Sequence, residues 1–510
     1  MEKELGAVFT PPKTAEYIVL KLGRIKDNQK VLDPCVGPGI FVKSLIESGI
    51  NKSQIFCQDI NPDYKEYIED LGVSFKTVDN LLSFNSESYN EYDFIVGNPP
   101  YLNKASNYVS KNRTKLKKIY GKINAHETYS MFIVNAVWRL KEGGKLGFIT
   151  SDSFLTLSTH TKLRKFILEN CKINEVMLAP ANLFANQNVN TNPVIIILTK
   201  HTIAQNKQER DNNVMRVIPR VENEIDYNNP PIEYQITQKK YYSLPFYIFH
   251  IEVEEQIIDL FEKAPKLEHY LQGYIGMHTH DNRKYIAAIK GSDLAEIFIK
   301  KNEKIDEKDK KYKIISEETL NSKKWCPYLK RGGGDQYYRP IIEALNWEEE
   351  SIKIYDIPRY VPFLEEGIVI SGISSRLAAR YMPKRCYWDS NKAIGFIIKE
   401  NSISIEYMLG ILNSSLYNYL AKGIINNTNS IQITGIHALP FLIPTPNIKS
   451  KIENTVRHII REKKKNQEYN YFQEQKNIDD LVFEFYSNQF NFPLKLKEKL
   501  DKKYSIYSIM

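Results

Sequence analysis

The sequence contains no run approaching the roughly 20 uncharged apolar residues that a membrane-spanning helix needs, so a transmembrane protein is not expected. Its first residues, Met1-Glu2-Lys3-Glu4-Leu5, lack the apolar core of a secretory signal. Cysteine is scarce: Cys35, Cys57, Cys171, Cys326 and Cys386 are scattered, with no Cys-x-x-Cys pair. That spacing argues against a zinc module and against a disulfide framework. It suits a reducing, cytoplasmic compartment, and no metal centre is expected. No repeat of fixed period is visible. A strong excess of one charge is also missing: 70 Lys and Arg against 61 Asp and Glu leave +9 on 510 residues. A polyanionic partner is permitted without being demanded. What the chain has in quantity is tyrosine, 33 residues; Tyr beside Lys or Arg suits stacking on bases and contacts to phosphate, and an AT-rich genome, which inflates Lys, Asn, Ile and Tyr alike, accounts for the number equally well.

Residues 1–245 read as alternating strands and helices. Ala15 to Leu22 is amphipathic and follows Thr10-Pro11-Pro12, a helix start. Strands are expected at 30–33, 54–59, 73–76, 93–97, 145–150, 173–178 and 194–198. Between them lie helices at 40–48, 127–141 (stopped by Gly143-Gly144) and 161–169. Alternation of this kind predicts an α/β fold with a parallel sheet and helices on both faces. From about 205 to 245 the polar texture reads as loop, and a domain boundary is placed at 245. Residues 246–510 read as a mixed α+β domain with a helix from Ser404 to Leu420. A final strand and turn is expected at Leu439-Pro440-Phe441, and a charged helical tail begins near Ile448.

Four successive strand ends each present a polar group. Asp33-Pro34-Cys35-Val36-Gly37-Pro38-Gly39 leaves the first strand and opens a helix, where glycines let the backbone approach a ligand. A lone Gly-x-Gly also fits nucleotide-binding Rossmann domains. Asp59 ends the second strand, where a carboxylate can accept both hydroxyls of a ribose. Asp79 follows the third strand and could read an adenine edge. At the fourth, Phe94-Ile95-Val96 runs into Asn98-Pro99-Pro100-Tyr101, where two prolines forbid pairing and helix and leave a stiff polar loop. Any one of these could be a cap or a turn. The ordered set of four points to a ligand site at the carboxyl edge of the sheet.

The order Val8-Phe9-Thr10-Pro11-Pro12, Asp33-Pro34-x-x-Gly37-x-Gly39, Asp59, Asp79, Asn98-Pro99-Pro100-Tyr101 resembles the gamma class of amino DNA methyltransferases. These enzymes methylate N6 of adenine with S-adenosylmethionine. The resemblance covers residues 1–200 closely and the remainder loosely. It implies a Rossmann-like methyltransferase sheet over 1–245 and a target-recognition domain over 246–510. It implies cofactor contacts from Thr10, Asp33, Pro34, Gly37, Gly39, Asp59, Asp79 and Asn98, with Thr10 at the methionine part, Asp59 at the ribose and Asp79 at the adenine. Asn98, Pro99, Pro100 and Tyr101 would be catalytic: the Asn98 side-chain oxygen and the Pro99 carbonyl each accept an N6 hydrogen, and Tyr101 stacks on an adenine flipped out of the duplex. Phe184, in Asn182-Leu183-Phe184-Ala185, stands where a second aromatic would meet the base; an ordinary core Phe reads equally well.

Beyond the motif, 110–122 is strongly basic, with Lys111, Arg113, Lys117 and Lys118 as candidate phosphate contacts or, alternatively, a solvated face. In the second half, Arg331 in Lys330-Arg331-Gly332-Gly333-Gly334 and Arg376 near Gly372-Ile373-Ser374-Ser375 are candidate DNA contacts. The expected partner is double-stranded DNA, bound by a monomer in a bacterial or archaeal cytosol. A cognate restriction endonuclease would act as a separate protein, since no Pro-Asp…Glu-x-Lys nuclease signature stands out. The alternatives are an RNA adenine methyltransferase, a protein-glutamine methyltransferase using the same Asn-Pro-Pro-Tyr, or an inactive DNA-binding subunit of the same fold.

Overall fold

The computed structural model describes residues 6, 8–123, 127–187, 192–203, 206–305, 312–320, 322–390, 392–426 and 428–509. It divides into two compact units, Met1–Val253 and Glu254–Met510. The division falls beyond the expected position at 245 because 246–249 pack in the first unit. Arg164 is fully buried there and donates to the Phe246 carbonyl, and Phe249 stacks on Tyr241.

The first unit is built on one nine-stranded sheet: β1 (Val31–Asp33), β2 (Ile55–Asp59), β3 (Phe75–Thr77), β4 (Tyr92–Gly97), β5 (Leu140–Ser151), β6 (Cys171–Leu178), β7 (Pro193–Lys200), β8 (Val214–Ile218) and β9 (Tyr234–Thr237). The spatial order is β3-β2-β1-β4-β5-β7-β6-β8-β9. The first five strands are parallel, as the alternation predicts, and β7 runs antiparallel between β5 and β6. The order turns back between β1 and β4, and at such a switch point the carboxyl ends of neighbouring strands leave a crevice. Helix α1 (Pro12–Leu22) starts with proline in its first turn and buries Ala15, Ile18, Val19 and Leu22. Each such side chain removed from water stabilises by roughly 1.5–3 kcal/mol, Ala15 by less. Helix α2 (Ile40–Glu47) packs on α1, and the core between them and the sheet includes Val31, Val96, Ile149 and Ile195.

Two expectations fail here for physical reasons. The stretch from 205 to 245, read as loop, adds β8 and β9 to the sheet. The signal lies elsewhere in the chain: Glu175 on β6 is 3% exposed, and a buried carboxylate needs partners. Arg216 on β8 supplies one at 2.8 Å in direct register with it, and Tyr17 of α1 donates to it at 2.6 Å. The helix expected to stop at Gly143-Gly144 stops at Arg139, and those glycines lie within β5. Gly143 has φ +76°, and the β4–β5 register shifts between Tyr92 and Phe94, so the pair makes a bulge.

The second unit holds two sheets drawn from β10 (Leu271–Tyr274), β11 (Ile286–Ile289), β12 (Lys313–Ile315), β13 (Trp325–Leu329), β14 (Glu343–Asn346), β15 (Gly367–Ser371), β16 (Ala379–Met382), β17 (Tyr387–Trp388) and β18 (Ala393–Ile398). One sheet is antiparallel, β10-β18-β15-β16; the other is β12-β11-β14-β13-β17. The expected helix from Ser404 to Leu420 is broken after Asn413. The Ser415 N–H leaves the helical ladder to donate to buried Asp479 at 2.9 Å. Leu439-Pro440-Phe441 forms no strand; it is anchored by backbone bonds to Pro265 and Leu267. The charged tail is helical, at Pro446–Lys465, Phe472–Phe490 and Leu494–Lys503. No helix among the described residues is long and apolar enough to cross a membrane.

Candidate active site

The carboxyl ends of β1, β2 and β4, with the turn after β3, surround a cavity of about 240 Å³. Of the residues singled out in the sequence, Thr10, Pro34, Gly37, Asp59, Asp79, Asn98 and Pro100 line it; Asp33, Gly39, Pro99, Tyr101 and Phe184 do not.

Asn98 is the most constrained of these. Its Nδ2 donates to the Val8 carbonyl at 2.9 Å and to Thr10 Oγ1 at 3.1 Å. A flipped amide would set Oδ1 against the Val8 carbonyl oxygen, so these two bonds fix the orientation. The Asn98 Oδ1 that remains is buried and has no hydrogen-bond partner among the described residues. Leaving an acceptor in that state costs about 1–3 kcal/mol, the kind of cost found where a ligand completes the site. The segment that supplies Val8 and Thr10 is held in turn by Gln187, which exchanges two 2.7 Å bonds with the Phe9 backbone.

Asp59 lies at the end of β2, 8% exposed. Its Oδ2 accepts from Gly37 N–H at 3.0 Å and its Oδ1 from Asn61 N–H at 2.9 Å. Burial raises its pKa, opposed by these amide donors. The glycine loop is thereby tied to the carboxylate that faces the cavity beside it. Gly39 has φ +86°, and a Cβ there would stand 2.7 Å from Ile68 Cδ1; its glycine serves packing and the entry to α2. Asp33 is fully buried beneath the loop. Its Oδ1 accepts from Cys35 N–H at 3.1 Å, its Oδ2 has no partner among the described residues, and burial pushes its pKa up to about 8. Its place is that of a loop support.

Asp79 does more than the sequence suggests. Its Oδ1 accepts from Leu81 and Leu82 N–H, capping the turn, and the Tyr108 hydroxyl donates to the same carboxylate at 2.9 Å. Tyr108, which also lines the cavity, carries no motif in sequence and is found only through this hydrogen bond. Thr128 is a second residue that sequence reasoning missed. At the start of α3 (Thr128–Arg139) its hydroxyl donates to the Pro100 carbonyl and accepts from Leu102 N–H at 2.9 Å, clamping the loop after Asn98. The prolines and this clamp together hold Pro99-Pro100-Tyr101.

The Tyr101 ring stands edge-on to Tyr129, centroids 6.2 Å apart, and 6.4 Å from Phe184. Phe184 is 2% exposed and belongs to the core around β1 and β4, so the structure brings the two rings together while burying the second. The basic stretch forms two short helices, Asn107–Lys111 and Arg113–Tyr120. Leu116 and Tyr120 are buried. Lys111, Arg113, Lys117 and Lys118 are exposed, and none forms an ion pair among the described residues. Tyr120 moors this pair to the Leu81 carbonyl at 3.0 Å, beside Asp79.

The two arginines expected on DNA in the second unit each have a partner within the protein, and the Arg331 side chain remains 42% exposed. Arg331 pairs with Glu343, which is fully buried and therefore needs a cation. Arg376 donates to the Ser505 carbonyl at 2.9 Å, and burial lowers its pKa. The glycine-rich loop at 331–333 is likewise filled from within. Arg339 donates to the Gly332 and Arg331 carbonyls, and Arg380, 1% exposed, donates to Arg331 and has its pKa lowered to about 9 by burial.

Comparison with known proteins places this geometry. Residues 29–184 match the family described as Eco57I restriction-modification methylase, and residues 310–441 match the TaqI-like C-terminal specificity domain. Among curated relatives, type II methyltransferase M.HincII of Haemophilus influenzae is 29% identical over 177 residues, 34% of this chain and 33% of its own length. M.BanIII of Aneurinibacillus aneurinilyticus is 30% identical over 216 residues, 36% of this chain and 37% of its own. The chain thus spans about a third of the length of the curated relatives it matches. Among solved structures, a DrdV–DNA complex aligns with TM-score 0.51 at 15% identity, covering 90% of this chain and 57% of that one. A nuclease-deletion mutant of the type ISP restriction-modification enzyme LlaGI, bound to a DNA substrate mimic, aligns with TM-score 0.53 at 16% identity, covering 89% and 54%. Likeness at that identity speaks to fold alone. By sequence, residues 29–184 are thus similar to Eco57I restriction-modification methylases and residues 310–441 to the TaqI-like C-terminal specificity domain.

Proposed function

We propose that this protein is a site-specific DNA methyltransferase that moves a methyl group from S-adenosylmethionine to N6 of an adenine flipped out of double-stranded DNA. Its setting would be the modification half of a restriction-modification system, in the cytoplasm, with the endonuclease a separate protein and the methyltransferase a monomer on DNA. The observation that carries the reading is the Asn98 side-chain oxygen: buried, unpartnered among the described residues, and oriented by Val8 and Thr10.

The residues around the cavity suit the cofactor. Asp59 offers a carboxylate to ribose hydroxyls, Gly37 and Pro34 offer backbone, and Ile60, Val78, Leu81 and Phe132 give an apolar wall for a purine. When bound, S-adenosylmethionine supplies an electrophilic methyl on a sulfonium that carries its own leaving group. The protein's task is then the nucleophile. The exocyclic amine of adenine has its lone pair delocalised into the ring. Asn98 Oδ1 and the Pro99 carbonyl each accept one of its hydrogens, which draws the nitrogen toward sp³ and directs the lone pair. That is orientation plus preorganised electrostatics, with no strong base. The proton leaves after transfer, once the amine is cationic. Tyr101 stacks on the extruded base, a contribution of roughly 1–3 kcal/mol that is comparable to the cost of unstacking it. Lys111, Arg113, Lys117 and Lys118 contact phosphate, and the specificity domain reads the surrounding sequence.

The test is methylated-base sequencing of DNA from cells carrying the intact protein or Asn98→Ala. N6-methyladenine within a single sequence motif should be present with the first and absent with the second. An unchanged DNA methylome accompanied by loss of methylation on RNA adenine or a peptide glutamine would overturn the DNA reading. A purified protein that fails to bind S-adenosylmethionine would mark an inactive subunit.

A further inference from the structure

The second unit carries a cluster of metal-ligating side chains that the methyl-transfer chemistry does not use. His278 and His280 follow β10, and Asp356 precedes β15. The backbones of His278 and Asp356 are locked together by two reciprocal hydrogen bonds, 3.1 and 3.0 Å. Between the histidines, Thr279 is 1% exposed and donates to Asn282 Oδ1 at 2.6 Å. With Thr279 held inward, its two neighbours are turned toward solvent. His280 then sits at φ +59°, the left-handed region where glycine is at ease and a side chain is strained. That turn returns its imidazole to His278: the ring centroids are 4.7 Å apart, and His280 Nε2 is 3.0 Å from Asp356 Oδ2. One ligand atom from each of the three residues lies within 4.8 Å of the others, and all three residues are exposed.

We propose that His278, His280 and Asp356 form an open site for a single divalent transition-metal ion of the zinc class. The donor set decides the class. Two imidazoles and one carboxylate suit Zn²⁺ or its first-row neighbours, whereas Mg²⁺ and Ca²⁺ prefer all-oxygen shells. Ligands about 2.0–2.2 Å from a tetrahedral ion stand roughly 3.3–3.6 Å apart; the His280–Asp356 pair is already at 3.0 Å, and rotation of exposed side chains closes the remaining separations, which lie within 4.8 Å. The contact from His280 N–H to His278 Nδ1 is 3.3 Å, long enough for an ion to replace. An ordinary surface ion pair needs only His280 and Asp356. It leaves unexplained why a second imidazole is fixed at the same point. Three protein ligands leave a coordination position for water, and the ion would tie the turn after β10 to the segment before β15. The scattered cysteines remove thiolate sites from consideration; they say nothing against an imidazole–carboxylate site.

The experiment is isothermal titration of untagged, EDTA-treated full-length protein with ZnCl₂ and, separately, MgCl₂, comparing wild type with His280→Gly and Asp356→Asn. Glycine fits the backbone at 280, so that variant removes the imidazole without a folding cost, which a circular dichroism melt checks. Wild type should bind one equivalent of Zn²⁺ with micromolar affinity and show no Mg²⁺ heat, and each variant should weaken Zn²⁺ binding by roughly tenfold or more. No saturable Zn²⁺ binding in the wild type, or binding within about twofold of wild type in both folded variants, would overturn the proposal. The readout is binding alone and stands apart from methyl transfer.

Discussion

The Asn98 loop in the first unit and the arginine-bearing loop at 331–339 in the second make an instructive pair. Both are polar segments that leave strands, and both read in sequence as functional surfaces. In the first, the protein commits the Asn98 amide nitrogen to Val8 and Thr10 and leaves the oxygen without a partner among the described residues, in a side chain that lines a cavity. In the second, Arg331 pairs with buried Glu343, and Arg339 and Arg380 donate to backbone carbonyls. The Asn98 oxygen lacks a partner beside a cavity, whereas the Arg331 guanidinium already holds one. Residue type and a glycine-rich neighbourhood do not distinguish a site from a scaffold.

That contrast can be broken by substitution. Asn98→Ala should lower kcat by about 10²–10³-fold while leaving affinity for the cofactor within a few-fold, measured by single-turnover methylation and cofactor titration. A parallel loss of cofactor affinity would make Asn98 a binding residue. In the second unit the large effect should be on stability. Arg380→Ala removes the guanidinium that holds the Arg331 carbonyl and should cost about 3 kcal/mol or more in thermal unfolding, against less than about 0.5 kcal/mol for exposed Lys117→Ala.

Tyr101 sharpens the first side of the comparison. Its ring meets Tyr129 edge-on and stands 6.4 Å from Phe184, and the ring face is the part proposed to stack on the base. Tyr101→Ala should reduce kcat/KM by about tenfold or more, and Tyr101→Phe should keep most of it. Equal losses would assign the role to the hydroxyl. Asp33 offers a pH test of the support beneath the loop. Burial, with the charge of Asp59 adding to it and the Cys35 N–H opposing it, raises its pKa to about 8. The folded protein thus retains a proton that the unfolded chain gives up near pH 4. The contribution to stability is full below pH 4 and is lost as pH rises through about 8. Asp33→Asn should therefore flatten the Tm between pH 6 and 8.5 and raise it by about 3–5 °C at the upper end. The smallest effect concerns the exposed cations. Replacing Lys111, Arg113, Lys117 and Lys118 together with Ala should weaken DNA binding without sequence preference. It should also make the slope of log Kd against log salt shallower, by up to about 0.9 for each phosphate that is no longer neutralised. An unchanged slope would make them a solvated face.

Much of the first unit was legible because its signals are local. Apolar runs of strand length, helix starts at Pro12, and a polar group at each of four strand ends are all read within a few residues. Asp59 and Asn98 line the cavity because a parallel sheet sets its strand ends side by side. Asp33 and Gly39 carry the same motif yet support the loop, since only packing tells which side of a turn faces a ligand. Tyr108, Thr128 and Gln187 were invisible because each acts through a partner 26 to 178 residues away. The strands β8 and β9 were missed for the same reason: β8 pairs with β6, where Arg216 meets Glu175 41 residues away, and β9 in turn pairs with β8.

By itself the sequence determined the first unit's parallel strands, the polar group at each of four strand ends and the stiff Asn98 loop, because strand periodicity and proline chemistry act on neighbours. Tertiary structure decided the rest. It fixed which end of the Asn98 amide is paired, buried Phe184, gave Arg331 and Arg376 partners within the protein, and assembled His278, His280 and Asp356. Each of these depends on which distant groups compete for a hydrogen bond or for removal from water, and that competition is settled only when the chain has folded.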